Sequence, residues 1–456
     1  MISRAETGRL PVRTYVIGFP VWGAAYIDVF FNVSMPSLMA PGNIPCLLRS
    51  ERVVVVVTTS AQDFPVIQND LRLAALRRIV DVEILEIPIY PEKFPTFANA
   101  HETIFRAFHH PTAVFTMMAC DLLVSDGFFL AIKRRVDEGY DAVVGFALRG
   151  NQEALDQEIE AFRAADGVIA IPPRALATLI LRHLHLLSRR QIWGEPSEPI
   201  IHHSVSIWGD ARTHVLSRTF HPCPIAFTNL KKPPKVRNAL DSSLLDDSYL
   251  SADRFYYATD SEELCFVGLT PVAEEEMTES YETSDERIRA AASWCAHHSS
   301  RFMFDFARQP MWIRAGEVRP NEDAALEAES LAVLERIALS VPQVDGWIAN
   351  RQSDLVRRIE VALQGEQEVA LWGLGHDFRN VCAAHPALER AISTNKVRLF
   401  DRNRAGTEIF GKRVEYPGDL HFSGILCIVP LHPATQGEML LQTTMLFPKV
   451  SNSVRL

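Results

Sequence analysis

The sequence predicts an α/β protein whose main domain is built on a mostly parallel sheet. Three observations predict it. Val53 to Thr59 (VVVVVTT) is an uninterrupted β-branched run, the composition of a strand buried on both faces. Ala113 to Cys120 is a second apolar run without polar alternation, and it ends at Asp121. Between and after these, strand-like and helix-like segments alternate over the first 150 residues, the order that parallel sheets with helices on both faces produce.

The elements follow in order. Tyr15 to Phe19 is a strand broken by Pro20 and Gly23, and Ala24 to Leu38 has apolar residues at helical spacing. Pro41-Gly42-Asn43 ends that helix. Phe64 to Ile79 reads as a helix, and Asp81 to Ile87 alternates as an edge strand does. Ala98 to Phe108 is a helix, the Thr112 strand follows, and Asp126-Gly127 turns the chain into a helix reaching Glu138. Tyr140 to Ala147 is a strand, and Asn151 to Ala165 and Arg174 to Leu187 are helices. The text from Trp193 to Asn229 is irregular and rich in His, Trp and Pro; 239–250 reads as an acidic loop and 259–271 as one more strand. Residues 271–285 are acidic and poor in apolar side chains, the signature of a linker. Helices are expected over Glu286 to Phe306 and Asn321 to Leu339, the second with Asn321 as N-cap. From Ser353 a helix leads into a strand from Glu368 that runs into a glycine turn, and into strands at 397–403 and 424–431, a small Rossmann-like unit. The domains read as 1–270, a helical bridge over 271–350, and 351–456.

Composition narrows the function. The chain has 456 residues, 47% hydrophobic and 22% charged, with a net charge of −10, so no global basic field argues for nucleic acid. Seven scattered cysteines without a CxxC fit reduced thiols in a cytoplasmic protein rather than a disulfide frame or a zinc site. No apolar stretch reaches the length of a membrane span. A membrane-bound acceptor would be met through the protein's surface, at the inner membrane, and a homo-oligomer is left open.

Five groups of residues carry candidate chemistry. Asp121, at a strand end, is placed to hold a divalent cation (Mn²⁺ or Mg²⁺), because such ions take one or two carboxylates and complete their shell with phosphate oxygens. The triplet there is Ala119-Cys120-Asp121, so a D-x-D pair lacks its first acid. His221 is a second metal ligand in the same reading. Arg212, His214 and Arg218 with Trp208 and Phe220 offer cationic and flat surfaces for a nucleotide diphosphate. Asp246 and Asp247, with Asp241, are carboxylates that can act as base toward an acceptor hydroxyl, or simply turn formers in an acidic loop. Pro20, Trp22 and Gly23 after the first strand, and Thr58 and Thr59 after the second, are placed to line a base or ribose pocket. Finally, Gly373-Leu374-Gly375 follows a strand, with Asp401 where a ribose-binding acid would stand, though Phe378 replaces the third glycine of the fingerprint.

With these residues in view, the sequence resembles bacterial GT-A-type glycosyltransferases of glycan loci over residues 15 to 270. The likeness rests on VIGFPVWGAAYIDVFFNVSMPSLMAPGNIP, MACDLLVSDG, WGDARTHVLSRTFHPCPIAF and LDSSLLDDSYL with ATDSEEL. Residues 366–431 look like Rossmann-like sensor units attached to sugar-modifying enzymes, on the G-x-G, Asp401 with Asn403, Gly411 and Pro417. The resemblance implies a GT-A-like nucleotide-sugar-binding domain, a nucleotide-sugar donor, and a glycan, lipid-linked or small-molecule acceptor. It implies Asp121 and His221 at the metal or diphosphate, and Asp246 and Asp247 facing the acceptor. Two other classes stand beside it: a non-catalytic nucleotide-binding or scaffold protein, and a methyltransferase or dehydrogenase centred on Gly373 and Gly375.

Overall fold

The structure, a computed structural model, describes the chain apart from residues 1–11, 91–92, 194–203, 210–211, 237–242, 273–283, 298–301, 318–319, 365–367, 375–377, 379–381, 383–385, 394–395, 402–403, 417–424, 429–451 and 455–456. For some further positions, 246–247, 342–355 and 425–428 among them, it describes the backbone alone. The chain divides into two compact units, one of residues 1–195, 203–275 and 299–334, the other of 196–202, 276–298 and 335–456.

The first unit is centred on a seven-stranded sheet. In chain order its strands are β1 (Thr14–Pro20), β2 (Arg52–Thr59), β3 (Asp81–Glu86), β4 (Ala113–Met117), β6 (Ala142–Gly145), β11 (Cys223–Phe227) and β12 (Phe255–Tyr257). Their spatial order is β12-β6-β11-β4-β1-β2-β3, and every pairing is parallel except the two made by β11. The expected α/β class and the mostly parallel sheet are therefore present, with β3 on the edge as its alternation suggests. Period-two alternation divides the buried runs between the two faces. Tyr15, Ile17, Val53, Val55 and Val57 join the Phe30, Phe31, Phe128 and Phe129 rings on one face. Val16, Val54, Val56, Phe115 and Met117 pack with Ile104 and Phe105 of the Lys93–Phe108 helix on the other. Burying side chains of this size contributes about 1.5–3 kcal/mol each. Gly18 permits the helix to come this close: a Cβ there would lie 2.6 Å from Met117 Sδ and 2.8 Å from Ile104 Cδ1.

Two smaller sheets complete the unit. The first orders β5 (Leu122–Val124), β13 (Phe266–Thr270) and β7 (Leu148–Asn151) side by side. The second orders β14 (Met311–Arg314), β10 (His214–Thr219), β9 (Ser204–Trp208) and β8 (Ile192–Trp193). The region read as irregular from Trp193 thus holds ordered strands.

Several expected elements change at their ends. The strand of Thr112 stops at Met117, not Cys120: Met118 N makes the last bond to β1, on Gly18 O, and the chain then leaves the sheet to form β5. The Ala24–Leu38 helix contains a π-turn at Phe30–Ser34. The Phe64–Ile79 helix is two, Phe64–Gln68 and Leu71–Leu76, with Asp70 capping the second through Arg72 N. The 239–250 loop contains the helix Ser243–Ser248, and 286–306 is two helices, Ser284–His297 and Met303–Arg308. The helix expected over Asn321–Leu339 runs from Pro320 to Gln364. Most of the 271–285 linker lies outside the described residues.

The second unit carries a six-stranded sheet of β15 (Val369–Trp372), β16 (Val397–Phe400), β17 (Glu408–Ile409), β18 (Lys412–Glu415), β19 (Ile425–Ile428) and β20 (Asn452–Val454). The order is β17-β18-β16-β15-β19-β20, parallel except for β17. No described helix is long and apolar enough to cross a membrane.

Candidate functional site

Sheet topology points to a candidate position before any side chain is considered. From β1 the neighbours β2 and β3 run one way, while β4 lies on the opposite side. The crevice beyond the carboxyl ends of β1 and β4 is the topological switch point, where open parallel sheets bind ligands. The loops that leave it are Pro20–Gly23 after β1 and Met118–Asp121 after β4.

The first loop is held in place. Val21 N donates to Thr58 O at 2.9 Å, and Gly23 N donates to Asp63 Oδ2 at 2.9 Å. The same carboxylate accepts from Ser60 Oγ at 2.8 Å, so Asp63 joins the loops after β1 and β2. Gly23 adopts φ +83°, a left-handed conformation that suits glycine. Pro20 is buried, and Trp22 and Gly23 are half-buried. The Trp22 ring packs on Phe97 at 4.8 Å. Thr58 is fully buried with its hydroxyl 3.5 Å from Phe19 O, and Thr59 is also fully buried. Both threonine hydroxyls are therefore shielded from solvent.

The second loop is pinned at three places. Ser34 Oγ donates to Cys120 O at 2.6 Å, Leu122 N to Ala119 O at 3.3 Å, and Leu269 N to Asp121 O at 2.8 Å. Further on, Asp126 Oδ1 accepts from Gly42 N at 2.6 Å, and the buried Asn43 side chain bonds Ser37 O, Ser125 O and Phe129 N. The Asp121 side chain is 18% exposed.

Asp121 has a cationic neighbour that the sequence did not bring forward. Arg149 Nη1 lies 3.9 Å from Asp121 Oδ2 and donates to Thr270 Oγ1 at 2.9 Å. The three-stranded sheet explains how it reaches. Leu122, Gly268 and Arg149 share one row across β5, β13 and β7. The arginine passes over the glycine in the middle, its Cγ and Nη1 in ordinary van der Waals range, 3.8 and 3.7 Å, of where a Cβ on Gly268 would stand. The span from β7 to β5 is about 10 Å, two strand spacings. Arg149 is 49% exposed, so the ion pair itself contributes about 1 kcal/mol or less to stability. The same charge reaches Cys223, an exposed residue.

Cys223 begins β11, which runs antiparallel to β4 with Ala226 opposite Thr116. The start of β11 therefore lies at the same sheet edge as the end of β4, and His221, two residues earlier, leaves from that edge together with Asp121. Arg212 does not share this place. The six-residue strand β10 stands between Arg212 and His221, about 20 Å of extended chain. Arg212 instead occupies the β9–β10 turn, 5.5 Å over the Trp208 ring, at φ +55°. The Trp208–His221 block, one cluster in the sequence, is thus divided between two ends of a hairpin strand. Arg218 is 3% exposed within β10 and donates to Ser330 Oγ at 2.7 Å and to the carbonyls of Arg308 and Glu327. Its guanidinium ties the strand to neighbouring segments, and burial lowers its pKa. His214, also buried, faces Glu322 at 3.6 Å beside an Arg314–Asp323 ion pair.

Asp246 and Asp247 fall in the Ser243–Ser248 helix, with side chains outside the described set; Asp241, Gly375, Asn403 and Pro417 also lie outside the described residues. In the second unit Gly373 has φ +91°, and Leu374 N donates to Asp401 Oδ2 at 2.8 Å. The carboxylate that a ribose would need is bonded to the turn itself. Among the described residues no group of three or more His, Cys, Asp and Glu side chains is gathered as a metal set.

No family model matches the sequence, and neither does any curated protein. Among solved structures, S. aureus TarS is similar over 29% of this chain and 21% of its own, at 9% identity and a TM-score of 0.21. A putative glucose-1-phosphate thymidylyltransferase from Bacillus anthracis is similar over 31% and 57%, at 10% and 0.22. Mouse xyloside xylosyltransferase 1 is similar over 33% and 57%, at 12% and 0.20. The chain spans less than two thirds of each of these proteins, and at such scores the likeness carries no argument about activity.

Proposed function

We propose that the first unit transfers a glycosyl group from a nucleoside-diphosphate donor to an acceptor hydroxyl. The observation that supports this reading is the Asp121–Arg149 pair beside the β1–β4 switch point, with the Trp22 loop after β1 and the His221 turn before β11 leaving from the same sheet edge. The half-buried Trp22–Phe97 pair supplies a flat apolar wall for a base, and the Asp121 neighbourhood supplies charge for a diphosphate. In the reaction the bond from the anomeric carbon to the β-phosphate oxygen breaks, and its electron pair stays on that oxygen. The acceptor oxygen forms the new bond to the carbon and gives up its proton to a base, the role assigned to Asp246 or Asp247. Stabilising the departing diphosphate is then the protein's largest electrostatic task.

The test is release of nucleoside diphosphate from UDP-, GDP- and CDP-sugars by the full chain and by Asp121→Ala. The reading expects turnover of one donor, lost in a variant whose circular dichroism and melting temperature match the wild type. A folded Asp121→Ala enzyme with undiminished turnover would refute it. A protein that binds nucleotide without turning it over would favour the non-catalytic reading, which the alanine at position 119 supports.

A further inference from the structure

We infer that the cation facing the donor diphosphate is the guanidinium of Arg149, so that binding and leaving-group stabilisation proceed without a divalent metal. The inference rests on the transferase reading for its substrate and adds the identity of the charge. Three observations carry it. First, Ala119 stands where a D-x-D pair would have its other carboxylate, which leaves Asp121 as the one acid of that triplet. Second, the position a metal would take beside that acid has a guanidinium 3.9 Å from Asp121 Oδ2, and a divalent ion there would face a fixed positive charge. Third, Arg149 is built into the site: its strand position, the missing side chain of Gly268 and the Thr270 hydroxyl aim it across β13.

Its remaining chemistry suits a diphosphate. Thr270 is the hydrogen-bond partner of the guanidinium among the described residues, and the side chain is 49% exposed. Its fork can therefore donate two parallel bonds to phosphate oxygens, which an ammonium cannot do in the same plane. Asp121 acts here as a positioning residue that holds the fork toward the crevice. When the anomeric C–O bond breaks, the extra negative charge on the β-phosphate is met by a charge already in place. No co-reactant is needed beyond donor and acceptor.

The experiment measures binding and turnover with the full chain after exhaustive EDTA treatment, then with Mg²⁺ or Mn²⁺ restored. UDP, GDP and CDP are compared with their nucleosides as ligands. The expected result is nucleoside-diphosphate binding in EDTA that metal changes less than threefold. Arg149→Ala should weaken diphosphate binding by about 10- to 100-fold, the loss of charge-assisted hydrogen bonds, while leaving nucleoside binding intact. Arg149→Lys should recover part of the affinity, and Mn²⁺ should not rescue Arg149→Ala. Gly268→Val, which fills the arginine's path, should mimic Arg149→Ala in the same assay. Binding abolished by EDTA and restored by Mn²⁺, or an Arg149→Ala protein with wild-type diphosphate affinity, would overturn the inference. Metal-free diphosphate binding that needs Arg149, without turnover of any nucleotide sugar, would sustain the assignment of Arg149 as the diphosphate's cation but overturn its leaving-group role together with the transferase reading. Failure of every nucleoside diphosphate to bind would overturn both.

Discussion

Replacing His101 with leucine should make the first unit less sensitive to acid. His101 lies in the Lys93–Phe108 helix, 4% exposed, with neither ring nitrogen hydrogen-bonded, and it stacks on Phe97 at 6.2 Å. Burial pushes its pKa down to about 3. The unfolded chain takes up a proton on this residue below pH 6.5, while the folded protein resists doing so until about pH 3. Stability is therefore lost as pH falls through that window, by about 1.4 kcal/mol per pH unit. From pH 7.5 to 4.5 the residue costs about 2.7 kcal/mol. At pH 7.5 the exchange removes two unpaired buried polar atoms, a gain of about 1–3 kcal/mol, against a repacking cost below about 1.5 kcal/mol. His101→Leu should thus be neutral to about 2 kcal/mol more stable at pH 7.5, and should pull a further 2–3 kcal/mol ahead at pH 4.5. Urea unfolding at the two pH values, read as a midpoint shift at constant slope, measures both differences. A variant that is less stable at pH 7.5 and shows the wild-type acid response would refute the argument, and would mean that the imidazole has a partner in solution.

Two further substitutions test the scaffold behind the site. Asn43→Ala should cost about 2–4 kcal/mol, because it removes three buried hydrogen bonds and leaves Phe129 N, at the start of a helix, without its acceptor; thermal unfolding reads the loss, and a change below 1 kcal/mol would contradict the assigned bonds. Gly18→Val should destabilise by about 1–3 kcal/mol or prevent folding, since even a Cβ would lie 2.6 Å from Met117 Sδ and 2.8 Å from Ile104 Cδ1; a stable, soluble variant would show that the helix is free to move off the sheet.

The parts of this fold that were legible in the sequence are those fixed by local pattern. The β-branched run of β2 and the apolar run of β4 announce themselves because both faces are buried, and the glycine turns at Gly23 and Gly127 mark loop ends. What was not legible depends on distant pairing. Asp121 reads as a strand terminus, but β4 ends at Met117, and the next strand pairs with β13, whose Gly268 lies far along the chain. Arg149 carries no signal of its own, because its partner Thr270 is 121 residues away and only the β7–β13 register brings it to Asp121. Asp63 gives no sign in the sequence that its carboxylate holds Gly23 N, 40 residues away. The Arg212-to-His221 block looked like one cluster because proximity in sequence is mistaken for proximity in space wherever a strand runs between two residues. The 320–364 helix continues past its expected end at Leu339, through Pro342 and Gly346.

The proposed ligand of the β1–β4 edge of the first unit is a nucleoside-diphosphate sugar. The most direct measurement is the melting temperature of the full chain against UDP-, GDP- and CDP-sugars, CMP-sugars, NAD and S-adenosylmethionine. A ligand at 100 times its dissociation constant stabilises the folded state by about 2.7 kcal/mol, an effect well within reach of the assay. The account predicts an upward shift with one nucleoside-diphosphate sugar that is diminished in Trp22→Ala and in Arg149→Ala. A shift confined to NAD or S-adenosylmethionine, or none with any nucleotide sugar, would contradict it.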